Sequence, residues 1–117
     1  MTLLQLPNYL RSNRKRLAFS QDEVAFLLGT RSGARVCRDE RFVREPSLKT
    51  ALAYEAIFQK PARELFSGLY QQIEQEVVAR AKTLANRIDG PNPTRPTARK
   101  LQVIGDIIAR HSNPILN

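Results

Sequence analysis

Apolar residues recur along this chain at intervals of three and four, and prolines and glycines cut the pattern into helices. Residues 1–18 predict a first helix starting near Pro7, a residue that suits a first helical turn. Leu6, Leu10 and Leu17 would face a core, with Tyr9 at its edge and Arg14 on the same face. Ser20 and Glu23 stand at capping-box spacing. They open a helix whose Val24, Leu27 and Leu28 share one face, and Gly29 closes it. Ser32 can cap a helix over 32–41, which buries Val36 and turns Arg35, Arg38 and Arg41 outward. Pro46 biases Glu45 away from helix, and Ser47 caps a helix over 48–58. Leu48, Ala51 and Leu52 give that helix its inner face, with Ile57 and Phe58 at its end. Pro61 starts a short helix in which Leu65 and Phe66 close the core.

The pattern changes beyond residue 66. Leu69, Ile73, Val77, Ala81, Leu84 and Ile88 step by four, four, four, three and four, a narrow and almost heptad stripe on one long helix. Glu74, Glu76, Arg80, Lys82 and Arg87 fill its other faces. A proline-rich break at 89–96 follows, then a last helix over roughly Thr97–His111 with Leu101, Ile104, Ile107 and Ile108 on one face; Asn113-Pro114 ends it. The chain thus divides into a compact domain, 1–66, and a helical extension, 67–117. The two tail helices can fold on each other as a hairpin, pair with a second chain, or order on a protein partner. A hairpin of two helices makes a thin core, so a homodimer is the expectation, joined through Ile73, Val77, Leu84 and Ile88.

Composition narrows the class. A chain of 117 residues, 42% of them hydrophobic, can build one core plus an appendage. The net charge of +8 favours a polyanionic partner. The charge is also clustered: Arg11, Arg14, Lys15, Arg16, Arg31, Arg35, Arg38, Arg41 and Arg44 all lie around the 20–41 stretch. An apolar position just after a glycine-containing turn, with arginines on the far face, suits a helix laid into the major groove of DNA. The single cysteine, Cys37, excludes an internal disulfide and fits a reducing cytoplasm. No run approaches membrane-spanning length, and the N-terminal order, apolar then basic, is the reverse of a secretory signal.

The stretch SQDEVAFLLGTRSGARVCRDER resembles the helix-turn-helix of the Cro and phage-repressor type (XRE-like) transcriptional regulators. The likeness runs over roughly residues 9–66. It rests on Ser20-Gln21, Leu28-Gly29, Glu40 and Arg44-Glu45-Pro46-Ser47-Leu48 occurring in this order. The turn Gly29–Ala34 looks one residue longer than the commonest form, which bears on which side chain meets which base. The resemblance implies an all-α, lambda-repressor-like bundle of about five helices. It also implies a partly buried pair between Arg14 and Glu40, and a phosphate contact from Gln21 at a helix N-terminus.

Base reading is then expected from Ser32, Ala34, Arg35 and Arg38, because arginine can grip guanine O6 and N7 with two hydrogen bonds. Either arginine could instead hold phosphate, as expected of Arg31, Arg41 and Arg44. The expected partner is double-stranded DNA in the cytoplasmic nucleoid, with no cofactor and no metal. His111 stands alone, without ligands at metal spacing, and Ser20, Ser32 and Ser47 fit caps better than nucleophiles, so no enzymatic activity is expected. Two other readings stay open: an antitoxin-like protein-interaction module on the same fold, and a non-specific DNA binder.

Overall fold

The computed structural model describes residues 6–88 and 94–111. Among these residues the chain is wholly helical: α1 Leu10–Arg16, α2 Gln21–Leu28, α3 Gly33–Glu40, α4 Leu48–Phe58, α5 Ala62–Leu65, α6 Ser67–Ile88 and α7 Arg95–His111. None of these helices is long and apolar enough to cross a membrane. The chain divides into two compact units, one running to Tyr70 and one from Gln71, so the division falls inside α6.

The first unit packs α1–α5 around Leu10, Val24, Ala25, Val36, Tyr54, Phe58, Leu65 and Phe66. Its helix ends follow the capping chemistry. Ser20 Oγ accepts from the Glu23 amide at 3.0 Å while Glu23 Oε1 accepts from the Ser20 amide at 2.8 Å, satisfying amide groups that the first turn leaves unpaired. Gly29 ends α2 at φ 81°, where a side chain would be strained. Ser47 caps α4 through the Thr50 amide at 3.2 Å.

Three expectations change here. α1 is shorter than expected: it starts at Leu10 rather than near Pro7 and stops at Arg16, Ala18 turns at φ 63°, and residues 1–5 lie outside the described residues. The helical phase therefore never reaches Leu17, which is 38% exposed, and Leu6 lies outside the helix and exposed too. On α4 the inner face is Thr50, Tyr54 and Phe58, while Leu48 and Leu52 point to solvent. The two rings stack with centroids 5.8 Å apart, and aromatic rings offer more apolar area than leucines. Ser32 precedes α3 but its side chain makes no capping bond; Asp22 Oδ1 accepts from the Gly33 amide at 2.9 Å instead.

In the second unit α7 lies antiparallel to α6, with His111 Nδ1 on Glu74 Oε2 near the open end. Val78 and Ala81 of α6 and Ile104 of α7 are buried. Glu74, Ala85 and Ile88 are half-buried on the same side of α6, and Leu101, Ile107, Ile108 and His111 on that of α7. The hairpin therefore forms, and on a face of α6 rotated from the expected stripe. Ile88 belongs to that covered face, whereas Ile73, Val77 and Leu84 stay 41–46% exposed. His111, expected to stand alone, instead meets Glu74, expected on an outer face. Residues 89–93, within the proline-rich break, and 112–117, including Asn113-Pro114, lie outside the described residues.

Candidate nucleic-acid interface

Helix α3 is held from three sides. Arg14 of α1 grips Glu40 with two bonds, Nε to Oε2 at 2.5 Å and Nη2 to Oε1 at 3.3 Å. Its third donor, Nη1, reaches the Phe19 carbonyl at 3.0 Å, which ties in the α1–α2 turn. Gln21 of α2 donates to the same Glu40 Oε1 at 3.2 Å. Both side chains of the ion pair are close to fully buried, 11% and 5% exposed. The hydrogen bond to Glu40 raises the pKa of the Arg14 guanidinium above its already high value.

The neighbouring carboxylate is engaged as well. Tyr54 of α4 donates its hydroxyl to Asp39 Oδ2 at 2.7 Å. Burial, then the Asp39 bond, pushes the phenol well above its usual range, so Tyr54 stays a donor. Asn8, itself buried, donates to the Asp39 carbonyl at 3.0 Å and accepts from the Leu10 amide at 3.1 Å. It thereby starts α1 against the end of α3. The sequence pattern carried no signal for Asn8, because an asparagine before a helix is common at the surface.

At its other end α3 approaches α2 closely. A Cβ on Gly33 would lie 2.7 Å from Asp22 Oδ1 and 2.9 Å from Gln21 Cβ, so a larger residue would force the two helices apart.

These contacts sort the charge on α3. Its two carboxylates, Asp39 and Glu40, turn inward to partners. Ala34, Arg35, Arg38 and the capping Arg41 are exposed, as are Arg31 in the preceding turn and Arg44 in the following loop. Arg38 and Arg41 carry no hydrogen bond to the protein among the described residues. Arg35 is different: its Nη2 donates to Thr50 Oγ1 at 2.9 Å, and Thr50 also accepts from Ser47 Oγ at 3.0 Å. Arg35 is thus aimed toward the start of α4. Gln21 is half-buried and spends one of its two side-chain N–H groups on Glu40. Ser32 is exposed at the start of α3, and Cys37 is half-buried behind the basic face.

Among the described residues, no group of three or more His, Cys, Asp or Glu side chains is placed to hold a metal ion. No protein-family model, curated protein or solved structure matches the chain.

Proposed function

We propose that the protein is a sequence-specific, DNA-binding transcriptional regulator of the helix-turn-helix type, in which α2 and α3 form the motif and α3 enters the major groove. One observation carries this reading: α3 exposes arginines on one side while both its carboxylates are bound on the other. Free carboxylates on the outer face would repel phosphates; bound inward, they leave the field of Arg31, Arg35, Arg38, Arg41 and Arg44 uncancelled by α3 itself. The inward bonds also fix the helix before DNA arrives, so less conformational freedom is lost on binding.

Arg38 and Ala34 are the base readers, with Ser32 at the edge and Arg35 held toward α4. Arg31, Arg41 and Arg44 grip phosphates, and Gln21 offers its backbone end of α2 to the duplex. Such a protein acts by occupancy, excluding RNA polymerase from a promoter, and works in the cytoplasm where the DNA lies. The test is amide chemical-shift mapping on addition of duplex DNA. Shifts should gather on 31–44 and the start of α2. Shifts confined to α6 and α7 would overturn the reading.

One observation favours a second reading, a protein-interaction module. Phe26 is 81% exposed on α2, next to exposed Leu27, Asp22 and Glu23. An aromatic presented so openly suits a protein contact. In that case the same mapping with duplex would leave 31–44 unmoved.

A further inference from the structure

Helix α6 carries apolar residues on two adjacent faces, and α7 covers one of them. Val78 and Ala81 are buried beneath α7, with Ala85 and Ile88 half-buried along the same line. Ile73, Val77 and Leu84 lie on the next face and remain 44%, 41% and 46% exposed. With Arg80 and Arg87 they step by four, three, four and three, the repeat of a helix-to-helix seam.

We propose that this face pairs with the same face of a second copy of the chain, the two α6 helices running antiparallel. The inference does not depend on the DNA-binding reading.

The charges on the seam select both the occupant and the orientation. A parallel pairing would set Arg80 against Arg80 and Arg87 against Arg87. An antiparallel pairing with Ile73 across from Leu84 of the second copy sets Arg80 across from Val77 and beside the second copy's Glu76. The two-fold axis then repeats the contact, so two Glu76–Arg80 pairs flank one apolar strip. The long Arg80 stem can lie on Val77 while its head reaches the carboxylate. Among the described residues, neither Glu76 nor Arg80 has an ion-pair partner within its own chain. Two hairpins joined in this way form a four-helix arrangement, which supplies the layer a lone hairpin lacks.

The test uses the full chain with Cys37→Ser, so that introduced thiols are the only ones. Sedimentation equilibrium should give a dimer. Glu76→Arg and Arg80→Glu should each weaken it tenfold or more, and an equimolar mixture of these two variants should restore it, since every cross-pair is then opposite in sign. Mixed Ile73→Cys and Leu84→Cys chains should oxidise chiefly to the 73–84 heterodisulfide. A chain that stays monomeric throughout, a mixture that restores nothing, or oxidation chiefly to 73–73 and 84–84 disulfides would each overturn the proposal. A failure to bind DNA would leave all three readouts intact, so the two proposals fail separately.

Discussion

In the unit that runs to Tyr70, Leu10, Val24, Tyr54 and Leu65 are wholly shielded from water, and polar side chains from α1, α2 and α4 reach inward to fix α3. In the α6–α7 pair the least exposed residues, Ile104, Ala81 and Val78, still show 6–8% of their surface, and the contact of Glu74 with His111 lies near the open end. Five helices can surround a core; two can only press faces together, because each has solvent on its outer side. The difference shows where each region's specificity resides. The first unit places one helix by directed bonds. The second leaves an apolar strip over, and it is specified by what comes to cover that strip.

The largest expected effect lies in the first unit. Glu40→Ala would strip Arg14 of its carboxylate in a nearly dry site, at a cost of about 3–5 kcal/mol. Urea denaturation followed by circular dichroism checks it, and a loss under 1 kcal/mol would mean that α3 is held by apolar packing alone.

Tyr54→Phe should cost about 1–3 kcal/mol, since Asp39 would lose its donor. It should also change the response to alkali. The folded phenol resists ionisation, while the unfolded one ionises near pH 10. Its contribution is therefore complete below that pH and is lost progressively as the pH rises above it. Denaturation midpoints at pH 8 and pH 11 should diverge less for Tyr54→Phe than for the unaltered chain.

Arg38→Ala should leave thermal stability unchanged while weakening the preferred duplex by about 1–3 kcal/mol, with little effect on unrelated sequences. Fluorescence anisotropy separates this from Arg44→Ala, which should weaken all duplexes alike and lower the salt slope by about one. The smallest effect belongs to the hairpin: His111→Ala should cost about 0–1 kcal/mol, because a single contact whose side chains are a quarter exposed is partly screened by water. A larger loss would place the hairpin nearer to the first unit in how it is held.

Much of this was legible in the pattern. Capping residues marked the starts of α2 and α4, Gly29 marked the turn, and the resemblance implied that Arg14 and Glu40 would meet. The inner face of α7 could be read because it has one apolar stripe. α6 could not be read in the same way: Val77 and Val78 are adjacent, each begins a valid stripe, and only packing chooses between them. On α4 hydropathy favoured Leu48 and Leu52 over Thr50 and Tyr54. The polar groups of the latter two find Arg35, Ser47 and Asp39, so burying them with the ring of Phe58 costs little. Those partners come from elsewhere in the chain and leave no local trace.

Sequence recognition by α3 is tested most directly by selecting bound sequences from a random duplex library at physiological salt. A defined consensus is expected, lost in Arg38→Ala at the position that Arg38 reads. Tight binding with no enrichment, or no binding, would contradict sequence recognition by α3.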